Sequence, residues 1–397
     1  MEVAALIVVD ANSGDASPAV NVATSSQGSP VPLALWEIFG KSVLLRSVER
    51  LQQAGIGNIS VFLDQSVPDE ALPEDTAIAA VTWARHAEDD LWREAENSFS
   101  QFADNGVDAV LAIRLGAYTE LDISDLLRFH LDQRTHVTMA CDASGPLDFI
   151  AINSGRRNDA AFLMRSRLQR TRLPAAHYVT NAYSNRLSNP KEFRALVQDG
   201  FLGRCGIRPL GMEIKPGVWV DEHARIHRSA RVLAPAYIGA GARVRAAAVI
   251  TRCSSIEHHA EVDCGTVVED ASILPHTYVG AGLDVAHVVL GHGRLSHTVR
   301  NVEVEIADPR LVGTRTRSAP LRTLTNAASL AAYLPMQLFR GLFAPSHREQ
   351  PSQLPSAVGE LSPALNPPAQ ALRAPAQSPS PDQFPADFAV ARRYGDQ

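Results

Sequence analysis

Three histidines that could do acid–base chemistry, His258, His259 and His276, stand in a regularly repeating part of the sequence. An imidazole exchanges protons near neutral pH, so each of the three is a candidate general base. His258 and His259 take outward positions of their repeat, which favours a solvent-exposed face over a catalytic role.

Groups that bind phosphate or metal ions are sparse. The first 40 residues contain neither Lys nor Arg, and only Lys41, Lys191 and Lys215 among the 37 cationic residues are lysines. The loop Ala11–Asp15 has a single glycine, Gly14, which by itself predicts a turn rather than a phosphate-binding loop. No His or second Cys stands at metal-ligand spacing from the cysteines, which therefore suit buried positions: Cys141, Cys205, Cys253 and Cys264.

The elements that would position these groups change character near residue 205. Before it, apolar runs alternate with helical periodicity, which predicts an α/β domain on a mostly parallel sheet over residues 1–205. Leu44, Val48 and Leu51 share one helical face, and Gly55 suits the end of that helix. The predicted strands are Val3–Val9, Ile59–Leu63, Val110–Ile113, His136–Cys141 and Asp148–Asn153.

Within residues 206–315, the sequence from Val220 to about Leu290 follows a period of six, with a small residue four positions after each of the first eight aliphatic ones. This pattern predicts a parallel β-helix in which three hexads make one coil and coils stack about 4.8 Å apart. The aliphatic positions are Val220, Ile226, Val232, Ile238, Val244, Ile250, Ile256 and Val262, and then, after a slip of one residue, Val267, Ile273, Val279 and Val285.

The C-terminal part divides in two. Residues 316–343 form a mixed apolar and polar stretch that predicts a helical, amphipathic segment broken at Pro335. Residues 344–397 are rich in Pro, Ser, Ala and Gln, which predicts a disordered tail because such a composition buries little apolar surface.

Composition and charge exclude several classes of protein. A chain of 397 residues that is 45% hydrophobic is expected to fold into two or three domains rather than to be wholly disordered. The net charge of −6, without long blocks of one sign, argues against a nucleic-acid partner. No apolar run reaches about 18 residues, so no integral membrane segment is predicted, and the scattered cysteines favour a cytoplasmic location.

Residues 1 to about 315 resemble the sugar-1-phosphate nucleotidyltransferases, also called NDP-sugar pyrophosphorylases. The resemblance rests on PLALWEIFGKS (Pro32–Ser42), LAIRLGAYTELDI (Leu111–Ile123), SNPKEF (Ser188–Phe193) and the hexads with their ending at Leu274–Gly313. It implies a Rossmann-like nucleotidyltransferase domain with a mostly parallel sheet, followed by a left-handed parallel β-helix of hexapeptide repeats. In this family a sugar-1-phosphate oxygen attacks the α-phosphorus of an NTP and releases pyrophosphate.

The resemblance also implies where the reacting groups should lie. The phosphate loop falls on Asn12, Ser13 and Gly14, without the family's cations, and the two Mg²⁺ carboxylate positions fall on Gly116, next to Arg114, and on Arg186. No catalytic residue and no metal site is therefore predicted. Two arginines in place of carboxylates favour a nucleotide or sugar nucleotide held without Mg²⁺.

These observations together predict a catalytically degenerate homologue that binds a sugar nucleotide or a partner subunit in polysaccharide-precursor metabolism, and that forms homo- or hetero-oligomers through the β-helix. The first alternative is an active sugar-1-phosphate nucleotidyltransferase, which alone would require Mg²⁺. The second is an acyltransferase that uses His258, His259 or His276 as its general base.

Overall fold

The structure is a computed structural model, and it describes residues 2–9, 31–65, 67, 81–133, 135–168, 173–291 and 293–314. The elements described below all belong to one compact unit, Met1–Pro320. The predicted phosphate loop (Asn12, Ser13, Gly14), the amphipathic segment 316–343 and the tail 344–397 lie outside the described residues.

The N-terminal region alternates strands and helices. Its strands are β1 (Val3–Val9), β2 (Glu37–Ile38), β3 (Lys41–Ser42), β4 (Asn58–Asp64), β5 (Val81–His86), β6 (Ala109–Arg114), β7 (Tyr118–Thr119), β8 (Val137–Asp142), β9 (Gly145–Asn153), β10 (Ala176–Val179) and β11 (Ser184–Asn185). Its helices are α1 (Val43–Gln53), α2 (Glu88–Asp104), α3 (Ile123–Asp132), α4 (Arg157–Arg165) and α5 (Pro190–Phe201), with a short 3₁₀ turn at Leu33–Leu35.

Seven of these strands form one sheet in the order β10-β8-β9-β6-β1-β4-β5. The strand β9 is antiparallel to both neighbours, and the other pairs are parallel. The predicted α/β domain with a mostly parallel sheet is therefore confirmed. β1 pairs with β6 and with β4, so it lies inside the sheet, as its continuous apolar run requires.

Helices cover both faces of this sheet. Alternate residues of β1 point to opposite faces, with Ile7 in the core that includes α1, α3 and α5, and Leu6 in the core that includes α2 and α4. The side chain of Ser42 caps α1 by accepting from the Leu45 N–H at 3.2 Å, and Gly55 follows the helix with φ +84°. A side chain would be strained in that left-handed conformation.

Residues 212–314, called the three-sheet region from here on, contain only strands and turns among the described residues. Its strands are β12 (Met212–Lys215), β13 (Val218–Val220), β14 (Arg225–Ile226), β15 (Arg231–Val232), β16 (Ala236–Ile238), β17 (Arg243–Val244), β18 (Val249–Thr251), β19 (Ser254–Ile256), β20 (Glu261–Val262), β21 (Val267–Glu269), β22 (Ser272–Ile273), β23 (Thr277–Val279), β24 (Asp284–Ala286), β25 (Val288–Gly291), β26 (Arg294–His297), β27 (Val302–Glu305) and β28 (Val312–Thr314).

Three parallel stacks run through this region: β13-β16-β19-β22-β25, β14-β17-β20-β23 and β15-β18-β21-β24. Antiparallel strands flank them, with β12 on β13, β26 and β27 beyond β25, and β28 on β23. Val244 pairs with Val262, eighteen residues later, and Ile256 pairs with Ile273, seventeen residues later. The aliphatic side chains at these paired positions are buried together in one core.

The position predicted for the one-residue slip is wrong. Ile250 pairs with Val268, and Val268 rather than Val267 is fully buried, so the regular spacing continues to Val268. The change lies at the next corner, where Asp270 alone has positive φ, whereas Arg252 and Cys253 both have it one turn earlier. The corner at Asp270 is one residue shorter than the corner one turn earlier, so the spacing between paired residues shortens from eighteen to seventeen.

No helix among the described residues is long and apolar enough to cross a membrane.

Candidate functional site

One candidate site is the edge of the seven-stranded sheet at which its parallel strands end. β4, β5, β6 and β8 finish there in Asp64, His86, Arg114 and Asp142. Doubly wound sheets bind their ligands in the crevice outside the carboxyl ends of the strands. This edge is called the carboxyl edge below.

Arg114 stands at the middle of the carboxyl edge. It pairs in register with Val8 of β1, and the next residue, Leu115, donates its N–H to the Val8 carbonyl at 2.9 Å. The side chain of Arg114 is half-buried. Arg114 therefore lies beside the end of the strand from which the predicted phosphate loop continues.

Arg186 is already engaged by protein groups. Its guanidinium donates to Asp142 Oδ1 at 2.9 Å, to Ser144 Oγ at 2.6 Å and to the Pro146 carbonyl. A third of its side chain remains exposed, against 9% for Asp142. A phosphate could reach Arg186 but would compete with Asp142 for it.

Asp142 receives four hydrogen bonds. Its Oδ1 accepts from the Ser144 N–H at 2.8 Å, from Ser144 Oγ at 2.6 Å and from Arg186, and its Oδ2 accepts from Ser184 Oγ at 2.7 Å. Burial alone would raise the pKa of Asp142, but the bonds from Ser144 and Ser184 and the charge of Arg186 lower it to about 2. Three of these donors converge on Oδ1 and one lies on Oδ2, so Oδ1 is fully engaged by protein groups.

The other positions derived from the resemblance also carry no carboxylate ligand. Gly116 lies in the bend between β6 and β7. Arg186 lies outside the seven-stranded sheet, directly after β11, and contacts the end of β8, which β9 separates from β6 by about 10 Å. Lys41 is paired with Glu49 at 2.5 Å.

A second polar group lies where the hairpin β2–β3 meets the three-sheet region. Glu257 is fully buried there, and its carboxylate accepts the N–H groups of Phe39 at 3.2 Å and Gly40 at 2.9 Å. Burial, and then the charge of Glu37, raise the pKa of Glu257 to about 8, although the backbone donors oppose the shift. We call Glu37, Glu257, His258, His259 and His276 the junction cluster.

The histidines of the junction cluster are not the solvent-exposed outward residues that the repeat predicts. His258 Nδ1 lies 2.5 Å from Glu37 Oε2, and its Nε2 lies 3.1 Å from His276 Nε2. The ring centroid of His259 is 5.5 Å from that of His258 and 5.3 Å from that of His276. The hairpin β2–β3 covers this face of the repeat, and a single sequence does not show which face is covered.

Sequence reasoning missed Glu257, although a signal was present. Glu257 follows Ile256 in its repeat, and the residues at the same place in neighbouring turns are Gly239, Leu274 and Gly291. A carboxylate at a position that glycine or leucine occupies in neighbouring turns indicates a polar contact specific to that turn. Within the described residues, no group of three or more His, Cys, Asp or Glu side chains is arranged to hold a metal ion.

Comparison with known proteins adds little to this geometry. No family model matches the chain, and no curated protein matches it. Two solved structures of HddC from Yersinia pseudotuberculosis, one of them complexed with GMP-PN, match 49% and 48% of this chain and 97% of their own chain. Their identities are 15% and 14%, each with a TM-score of 0.35. Likeness of this degree assigns no function to this chain.

Proposed function

We propose that the protein is a catalytically degenerate relative of the sugar-1-phosphate nucleotidyltransferases that binds a nucleotide or sugar nucleotide at the carboxyl edge, without Mg²⁺. The observation that carries the proposal is the engagement of Asp142, whose Oδ1 accepts from Arg186 and twice from Ser144 and whose Oδ2 accepts from Ser184. Asp142 is the carboxylate in direct contact with the residue at one of the expected metal positions.

The donors on Asp142 support the loss of turnover. Mg²⁺ is bound through carboxylates and substrate phosphates, and Asp142 Oδ1 would first have to lose its donors before it could bind the ion. Breaking the pair would also leave the Arg186 guanidinium without its counter-charge. An active enzyme would need a carboxylate from another part of the chain.

Arg114 supplies the positive charge for binding. A guanidinium stays charged at all ordinary pH values and can hold a phosphate through two parallel hydrogen bonds. It lies beside the end of β1, the strand that precedes Asn12–Gly14 in the sequence, and Arg186 would be a second contact for a diphosphate. Held in this way, the ligand is neutralised by side chains rather than by a metal ion.

The proposal includes the architecture that the sequence predicts. Residues 1–205 would be the nucleotidyltransferase-like domain, 206–315 a left-handed β-helix, 316–343 an amphipathic segment and 344–397 a disordered tail. The three parallel stacks with pairing eighteen or seventeen residues apart support the β-helix. Assembly through its sheets, a cytoplasmic location and a role in polysaccharide-precursor metabolism follow from the resemblance, and acyl transfer from the histidines stays a prediction without a supporting contact.

Calorimetric titration of UDP-, GDP-, ADP- and dTDP-sugars into the full chain tests the proposal, once with EDTA and once with Mg²⁺. We expect binding of equal strength in both buffers, at least tenfold weaker in Arg114→Gln, and no release of pyrophosphate from NTP and sugar-1-phosphate. Arg128→Gln is the matched control, because that arginine is 71% exposed on α3. Binding that requires Mg²⁺, turnover, or an Arg114→Gln variant that melts normally and binds as the wild type does would overturn the proposal.

A further inference from the structure

We propose that His258 and His276 of the junction cluster form a binding site for a transition-metal cation of the Zn²⁺, Ni²⁺ or Cu²⁺ class, with Glu37 as the positioning residue. This site is separate from the carboxyl edge and does not depend on the ligand proposed there. Two imidazole nitrogens that face each other are its central feature.

The spacing of the two nitrogens suits a shared cation. Zinc binds histidine nitrogens at about 2.0–2.1 Å, and two such ligands at a tetrahedral angle stand about 3.3 Å apart. The Nε2 atoms of His258 and His276 are 3.1 Å apart. A displacement of a few tenths of an ångström would therefore admit the ion between them.

Glu37 sets the state of the first ligand. Its Oε2 lies 2.5 Å from His258 Nδ1, and in the neutral ring this contact places the proton on Nδ1 and leaves the lone pair on Nε2, the atom that faces His276. A carboxylate bonded to the far nitrogen of a ligating histidine is the usual outer partner in metal sites, where it fixes the ring and raises its basicity.

The backbone fixes the second ligand relative to the first. His276 lies at a corner with φ +55°, and its N–H donates to the His258 carbonyl at 3.1 Å, so the two residues are held on successive turns of the repeat. His259 takes the corresponding corner one turn earlier, with φ +53°. The His259 ring lies beside both others, and the proposed site itself consists of the nitrogens of His258 and His276.

The type of cation follows from the ligands and their surroundings. Neutral imidazole suits Zn²⁺, Ni²⁺ and Cu²⁺, whereas Mg²⁺ and Ca²⁺ require oxygen ligands. The side chain of His258 is 20% exposed, so water can reach the pair and complete the coordination. The competing explanation is a simple N–H···N hydrogen bond from His276 to His258, which would bind no metal.

Calorimetric titration of Zn²⁺ into the EDTA-stripped and dialysed full chain separates these two explanations. We expect one Zn²⁺ to bind and to raise the melting temperature, and we expect His276→Gln to lose both effects. His227→Gln is the matched control, because His227 is an exposed histidine of the same region that contacts Ser229 at 2.8 Å. Glu37→Gln keeps both nitrogens and should weaken binding about 10-fold to 100-fold.

Binding of Co²⁺ provides a second measurement, because its visible spectrum reports nitrogen ligation directly. Without metal, each variant must melt within a few degrees of the wild type. If His276→Gln folds poorly, the Glu37→Gln variant decides the question, because it alters no ligand. Absence of Zn²⁺ binding by the wild type, or equal binding by wild type, His276→Gln and Glu37→Gln, overturns the proposal.

Discussion

The seven-stranded sheet and the three-sheet region place their polar side chains differently. In the seven-stranded sheet, Asp64, Arg114 and Asp142 end their strands at the carboxyl edge. In the three-sheet region, polar residues such as Glu257 and Ser272 are buried on the outer face of the first stack, against the hairpin β2–β3 and α5. The polar side chains therefore lie at a strand-end edge in one region and at a contact between regions in the other.

The two regions also differ in how they tolerate a change of length. Several connections of the seven-stranded sheet run through helices that cover its faces, whereas each turn of the three-sheet region pairs with the turns before and after it. Stability in such an array is shared between neighbouring repeats. A change in the register of one strand is therefore expected to disturb the pairing of the neighbouring turns.

The largest effect should follow from inserting one alanine between Val249 and Ile250, in the strand β18. The insertion turns Ile250 out of the core and breaks its pairing with Val268, so the three-sheet region should lose cooperative unfolding or fail to fold. Circular dichroism and urea titration measure this loss.

The matched control is one alanine inserted after Gly155, in the exposed turn between β9 and α4. A Cβ at Gly155 would meet nothing within 4 Å, so this turn has room, and a loop extension should cost less than about 1 kcal/mol. Equal losses in the two insertion variants would contradict the contrast between the regions.

The hexad pattern predicts much of the backbone of the three-sheet region but little of its contact with the hairpin β2–β3. Buried Val244, Ile250 and Ile256 were predicted, because their spacing is local and period alone places them inward. The true inward residue at the shorter turn, Val268, was missed because Val267 and Val268 are equally apolar. The shorter corner comes after them, at Asp270, which accepts a hydrogen bond from Arg194 of α5, 76 residues earlier in the chain.

Site residues were harder to predict because their partners lie far away in the sequence. The sequence pointed to Arg186, but it could not show that Asp142, 44 residues earlier, accepts from it. The pairing of Glu37 with His258 spans 221 residues. No pattern within one sequence connects such residues, because their proximity depends on which faces of the two regions meet.

The second prediction concerns pH and the buried carboxyl of Glu257. Its pKa is raised from 4.5 to about 8, so the folded state keeps a proton that the unfolded state releases. Stability should therefore fall as the pH rises from about 4.5 to about 8, by up to about 1.4 kcal/mol per pH unit. The direction is opposite to that of a salt-bridged carboxylate.

Glu257→Gln should remove this slope because the amide does not ionise, although its single oxygen can accept only one of the Phe39 and Gly40 N–H groups, so some stability should be lost at every pH. Urea unfolding at pH 5, 7 and 9 measures it, and Glu222→Gln, at an exposed carboxylate of the same region, is the control. The nearby groups that also act on this carboxyl or are acted on by it are Glu37, Arg46 and Tyr237. An unchanged slope in Glu257→Gln would refute the assignment.

The smallest of the three effects is expected at Arg194, which joins α5 to the three-sheet region. Its guanidinium is 2% exposed and donates to Asp270 Oδ1 at 2.8 Å, to Ser272 Oγ at 3.1 Å and to the Cys253 carbonyl. Burial alone would raise the pKa of Asp270, but Arg194, with His287 and Gln198, lowers it.

Arg194→Met should cost about 3 kcal/mol, because it leaves Asp270 and the corner carbonyls short of donors in a buried place. Asp270 adds stability that is present above its unfolded pKa and lost as the pH falls through its folded value, so the variant should lose less stability in acid than the wild type does. Arg204→Met is the control, since Arg204 is 67% exposed in its pair with Asp199 and should cost well under 1 kcal/mol. Equal losses in the two methionine variants, measured by urea unfolding at pH 7, would show that α5 is not anchored through Arg194.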